Sequence, residues 1–186
     1  MIGVLKLKIV YLGWGSLIWN PSNLKTKGEW YTDGPLLPVE FARISRDGRL
    51  TLVLYPGTKK LPVLWIYSEI DNLNDTIKDF KAREGTVESW IGYFSIRENK
   101  YNCNIVPNIL EDIRSWAIDK NVDSVIWTDL PSNFEEKTAE KLNADNVIKY
   151  LVNLPDNEKQ IARKYIEKAP IQIMTPIRKE IINILG

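Results

Sequence analysis

Histidine is absent from the 186 residues. No Ser-His-Asp triad or Cys-His dyad can form, because both take an imidazole as their base. Zinc, iron and copper sites built on histidine are excluded for the same reason. There is one cysteine, Cys103. It allows no intramolecular disulfide and no four-cysteine zinc site, and a lone thiol suits a reducing cytosol. A surplus of either charge is also missing: 25 Lys+Arg against 24 Asp+Glu leaves +1, whereas nucleic-acid binders carry a basic excess. No apolar run reaches the roughly 18 residues of a membrane-spanning helix. The apolar start, Met1 to Val10, is broken by Lys6 and Lys8 and has no small-residue cleavage site, so no leader is expected. Neither G-x-x-x-x-G-K nor G-x-G-x-x-G occurs; Ile18 stands where the last glycine of the second would be. The expectations are a cytoplasmic protein with no membrane or nucleic-acid partner, no metal and no cofactor. Asp, Glu, Lys, Tyr or an activated water must do any proton transfer.

What is present is an ordinary globular composition, 44% apolar and 26% charged. The length suits one domain with an extension and is enough to bury a core without staples. Residues 8–13 (KIVYLG) read as a buried strand ending in glycine. Gly13-Trp14-Gly15-Ser16-Leu17 punctuates it; Asn20-Pro21 and residues 26–33 read as loop. The runs 36–46 and 49–55 flank Asp47-Gly48, the strongest short hairpin signal. Residues 62–67 are a third β run. Ile70, Leu73, Ile77 and Phe80 have helical spacing, which predicts a helix over 71–83 capped by Asp71 and stopped by Gly85. Strands are expected at 90–96 and 122–127, and helices at 107–120, 143–153, 156–168 and 175–185. Pro155, Pro170 and Pro176 sit at the breaks of the tail. Strands fill the first two thirds and helices the tail. The expected fold is α+β, a mixed, mostly antiparallel sheet or barrel with flanking helices. Its core spans 1–140, and a helical extension over 141–186 packs on the same domain.

Several residue sets could carry chemistry. A strand-Gly-x-Gly-Ser turn offers backbone N–H groups to a carboxylate or oxyanion, or is simply a tight turn. Glu84 lies at a helix C-terminus, where an anion opposes the dipole. Packed among Phe80, Trp90 and other aromatics, it would have a raised pKa suited to a general acid/base; otherwise it is a solvated carboxylate beside Arg83. Arg43, Arg46 and Arg83 are candidate grips for a substrate carboxylate, or the polar face of a half-covered strand. Trp14, Trp19 and Trp65 could line a pocket, or build core and subunit contacts. Cys103 has no base nearby in sequence and reads as inert.

Tyr11-Leu12-Gly13-Trp14-Gly15-Ser16-Leu17-Ile18-Trp19 resembles the N-terminal signature of the γ-glutamylcyclotransferase-like superfamily. There the first strand ends in an aromatic-Gly-Ser loop, and the glutathione-degrading branch carries G-Y-G-S-L-[IV]-W. Gly13 to Trp19 matches that pattern, with Trp14 in place of tyrosine. Phe41-Ala42-Arg43 resembles the family's strand with an inward arginine. Lys81-Ala82-Arg83-Glu84-Gly85 resembles the L-D-x-x-E-G segment that carries the catalytic glutamate, with Phe80 and Lys81 in place of Leu-Asp. The likeness covers residues 8–97; residues 122–131 and 168–173 resemble segments of a bacterial and archaeal branch. The resemblance implies a metal-free cyclisation of a γ-glutamyl group to 5-oxoproline with release of an amine. It implies Glu84 as general acid/base, and Gly13, Trp14, Gly15, Ser16, Leu17 and Arg43 as substrate contacts. The partner would be a small γ-glutamyl substrate, with a homodimer as one use of the tail. A non-catalytic carboxylate-binding protein and an interaction module of the same fold are the alternatives.

Overall fold

The computed structural model, which describes residues 6–185, is organised around the apolar run near the start of the chain. The strands are β1 (Ile9–Gly13), β2 (Thr26–Tyr31), β3 (Leu36–Ile44), β4 (Leu50–Leu54), β5 (Lys60–Pro62), β6 (Leu64–Ser68), β7 (Ile91–Ser95), β8 (Lys100–Asn102) and β9 (Ser124–Thr128). The helices are α1 (Leu73–Glu84), α2 (Ile109–Asp119), α3 (Phe134–Thr138), α4 (Ala144–Val152), α5 (Asp156–Lys168) and α6 (Pro176–Leu185). Six strands form one sheet in the order β2-β6-β1-β9-β7-β8, and β4-β3-β5 form a second. Among the described residues, β1 and β9 alone pair in parallel; the other ladders are antiparallel. The protein is therefore α+β with mixed sheets. The barrel alternative is corrected: the large sheet stays open, with β2 and β8 as its edges, and no closed barrel forms among the described residues.

Alternation along β1 divides the interior in two. Ile9 and Tyr11 face α1, whose Leu73, Ile77 and Phe80 cover that side of the sheet. Tyr11 and Phe80 stack with ring centroids 5.3 Å apart. Val10 and Leu12 face the larger cluster, which takes in Phe41 and Leu50 of the second sheet, Ile113 of α2 and Ala162, Ile173 and Ile181 of the tail. Burial of each Val, Leu, Ile or Phe among them contributes about 1.5–3 kcal/mol, so both faces of β1 are held strongly. The tail's course is set by Arg178, which is buried and donates to the Pro170, Ile173 and Ala169 carbonyls at 2.6, 3.0 and 2.7 Å. These are carbonyls at the end of α5 and in the turn after it that have no intrahelical partner.

Several expectations need correction. Residues 26–33 were expected as loop, but 26–31 form β2. It is an exposed edge strand whose register slips between Lys27 and Tyr31, with Gly28 at φ 84°. A bulged, polar edge lacks the alternation that marks a strand. The run 62–67 is split between β5 and β6 in different sheets. At the split, the Val63 N–H donates to Pro35 O, and Val63 O accepts from the Gly34 N–H. The cap of α1 is Asn72, not Asp71; its side chain accepts from the Asp75 N–H at 3.1 Å. The short β8 and α3 carry no clear period and were missed. No helix among the described residues is long and apolar enough to cross a membrane.

Glu40 on β3 is almost fully buried, and its carboxyl group accepts from the Phe41 N–H (2.9 Å), the Thr58 hydroxyl (3.4 Å) and the Ile177 N–H at the start of α6 (3.4 Å). Burial pushes its pKa up, and these donors with Thr175 only partly offset that. A carboxyl with a raised folded-state pKa holds its proton where the unfolded chain has lost it. Its stabilising contribution is thus full below the ordinary carboxylate range and is lost as pH rises through the raised value. In urea denaturation from about pH 4 to neutrality, the Glu40→Gln variant should gain stability relative to the wild type as pH rises. Parallel pH curves would exclude Glu40 as the titrating group.

Candidate functional site

At the C-terminal end of β1 the chain folds into two overlapping turns. Gly15 O accepts from the Ile18 N–H at 3.0 Å, and Ser16 O from the Asn20 N–H at 2.8 Å. Trp14 pins the turn to β4, its indole N–H donating to Leu52 O at 3.2 Å. The N–H groups of Gly15 and Leu17 make no hydrogen bond among the described residues. This turn forms one wall of a cavity of about 410 Å³. Gly13, Trp14, Gly15, Ser16, Leu17, Arg43 and Glu84 all line it, together with Asn20, Ser45, Arg49, Thr51, Arg83 and Tyr165.

Glu84 arrives on the last turn of α1. Gly85 ends that helix in the left-handed conformation (φ 60°, ψ 35°), its N–H donating to Lys81 O at 3.0 Å. Phe80 stacks on Tyr11, and the Glu84 carboxylate is ion-paired with Arg83, both side chains only about a tenth exposed (11% and 10%). Arg83 also donates to Asn20 O at 2.6 Å and lies 3.5 Å from the Ser16 hydroxyl. One guanidinium thus fastens the helix end to the β1 turn and orients the carboxylate.

The other arginines divide unexpectedly. Arg43 reaches the cavity wall, but its guanidinium donates to Pro131 O at 2.7 Å. Burial pulls its pKa below the ordinary value, against the attraction of Glu136. Arg46 is exposed and does not line the cavity. Arg49, just past the hairpin turn, does. Its guanidinium lies 5.4 Å from the centre of the Tyr165 ring. Its buried Nε has no hydrogen-bond partner among the described residues; Asp47 Oδ1 is 3.4 Å away but misaligned for a hydrogen bond.

Tyr165, from α5 in the tail, is buried with its hydroxyl against Gly15. Burial pushes the phenol up to about 12, although the backbone of Leu52 and Ser16 beside it and the charge of Arg49 work the other way. It therefore keeps its proton at neutral pH. Trp19 packs edge-on against the same ring at 5.2 Å. Trp65 lies away from the cavity, stacked on Tyr31 at 4.3 Å and donating to Asp33 at 2.9 Å. Burial, with Asp129 nearby, pushes the Cys103 thiol up to about 12, which leaves it unreactive.

Arg49 and Tyr165 were not singled out from the sequence. Tyr165 shares an apolar helix face with Ala162 and Ile166, and that spacing reads as core. Arg49 follows a turn, where a charge reads as solvated. No three potential metal ligands converge among the described residues; the lining supplies guanidinium, hydroxyl and backbone N–H donors with one carboxylate, a set that suits an anionic organic ligand. No protein-family model, curated protein or solved structure matches the chain.

A Cβ on Gly15 would collide with the Tyr165 hydroxyl. Gly15→Ala should therefore destabilise the fold by about 1–3 kcal/mol. Adding Tyr165→Phe, which removes the colliding atom, should recover much of that loss. A double-mutant cycle by chemical denaturation checks this; strictly additive effects would show that the two positions do not meet.

Proposed function

We propose that the chain is a γ-glutamylcyclotransferase-like enzyme that converts a γ-glutamyl group to 5-oxoproline and releases an amine, with Glu84 as general acid/base. The observation that carries this reading is the meeting of the Glu84 carboxylate and the 13–17 turn in one cavity. In the reaction, the α-amine nitrogen bonds to the γ-carbonyl carbon and its proton passes to Glu84. The carbonyl becomes an oxyanion. On collapse, the bond to the leaving nitrogen breaks and Glu84 returns the proton to it. Water is not consumed and nothing stays bound to the protein. A carboxylate in reach of both nitrogens can serve as base and then as acid. The N–H groups of Gly15 and Leu17, unbonded among the described residues, are suited to the oxyanion. Closure of a five-membered ring is intramolecular, so the cavity's main task is to hold the folded conformer. Arg83, bound to both Glu84 and Asn20 O, positions the base.

The Arg83–Glu84 ion pair also favours a second reading. In it the cavity holds a small carboxylate without turning it over, and Glu84 serves only to orient Arg83. Incubation with a panel of γ-glutamyl peptides and amides, read by mass spectrometry, separates the two. Release of 5-oxoproline should fall by about 10²–10⁴-fold in Glu84→Gln. Undiminished release in that variant would remove Glu84 from the reaction. Ligand recovered intact from the wild type would support the second reading.

A further inference from the structure

We infer that Arg49 and Tyr165 together form a carboxylate clamp in this cavity, so that the helical tail completes the binding site. The inference rests on reading the cavity as a site for a small carboxylate, and holds whether or not the ligand is turned over.

Three guanidinium groups border the cavity, and two are held by the protein itself. Arg43 is tied to Pro131 O, and Arg83 to Asn20 O and Glu84. Arg49 remains. Its buried Nε has no hydrogen-bond partner among the described residues; Asp47 Oδ1 lies 3.4 Å from it as an ion pair but is misaligned for a hydrogen bond, and also accepts from the Ser45 hydroxyl. The Arg49 side chain is about a third exposed (36%), so its fork is open to a ligand. It packs over the Tyr165 ring, its Cζ 5.4 Å from the ring centre, a cation–π contact that holds it beside the tyrosine. Trp19 and Phe41 hold the ring edge-on, at 5.2 and 6.2 Å. The Tyr165 hydroxyl lies against Gly15, with the backbone of Ser16 and Leu52 beside it. Its own O–H donates to no acceptor among the described residues, in a cavity shared with Arg49 and Ser16. A charged planar donor and a neutral donor beside it match the two oxygens of a carboxylate. Glu84 lies in the same cavity and would repel that carboxylate, which directs the ligand's amine toward Glu84 and its carboxylate toward Arg49.

Calorimetric titration of the full chain with 5-oxoproline and with its carboxamide tests the clamp. The wild type should bind the acid more tightly than the amide. Arg49→Gln and Tyr165→Phe should each weaken binding of the acid by about tenfold or more and leave the amide unchanged, with Arg49→Lys intermediate. If Arg49→Gln does not fold, as judged by thermal melting, Arg49→Lys and Tyr165→Phe carry the test. The clamp is overturned if the wild type does not bind 5-oxoproline or does not prefer it to the amide. It is equally overturned if the variants bind the acid as the wild type does, or lose acid and amide alike. Turnover of γ-glutamyl compounds separates this from the proposed reaction. Discrimination between acid and amide without turnover removes the reaction and keeps the clamp. Turnover with an unchanged KM in Arg49→Gln removes the clamp and keeps the reaction.

Discussion

Everything at the site depends on β1 being held from four directions. It is hydrogen-bonded on both edges, to β6 and β9, and buried on both faces, by α1 on one and by the second sheet and tail on the other. A strand in that position cannot slip by one residue, because a slip would exchange every side chain between the two interiors. The Gly13–Leu17 turn leaves from its end and inherits that rigidity. Trp14 and Arg83 then fasten the turn to β4 and to α1. The N–H groups of Gly15 and Leu17, unbonded among the described residues, are thus presented by a fixed frame, as the proposed anion site would require.

The tail is held differently. Its α5 and α6 carry many charged and polar residues and meet the sheets along narrow apolar stripes. Specific polar links add to that packing. Arg178 gathers three carbonyls at the α5 end and its following turn, Gln172 bonds Thr32 O and Pro62 O, and Glu40 receives the start of α6. Where such a link holds a buried charge, as at Arg178 and Glu40, losing its partners costs more than making the bonds gains. Because α5 is placed by these contacts, Tyr165 meets Gly15 at a position set from a distant part of the chain.

Strand and helix placement along much of the core was legible, because periodicity and turn chemistry are local. The β1 run, the Asp47-Gly48 hairpin and the α1 helix with its Gly85 stop occur where the pattern puts them. The exposed β2 strand and the division of 62–67 between two sheets were not legible, since both are decided by partners far along the chain. The site divides the same way. Gly13 to Leu17, Arg43 and Glu84 were visible as motifs and do line one cavity. What a motif could not tell was which arginine is left available. Arg43 and Arg83 are hydrogen-bonded to backbone carbonyls and, for Arg83, a carboxylate, while Arg49 has only a misaligned ion pair with Asp47 and no hydrogen bond among the described residues, and only the folded arrangement reveals it.

That arrangement bears on how the proposed site would hold a carboxylate and a base together. A lone Glu84 at the C-terminal end of α1 would face the negative pole of the helix and repel an anionic ligand. Arg83, one residue before it, offsets both effects at short range and ties the carboxylate to the opposite wall through Asn20 O. The favourable field for an anion is then set by Arg49, on the hairpin side. Charge in the cavity is therefore polarised, with the carboxylate at the helix end and the available cation at the strand end. In the proposed reading, a zwitterionic or amino-acid-like ligand would take one orientation in such a field, with its amine toward Glu84.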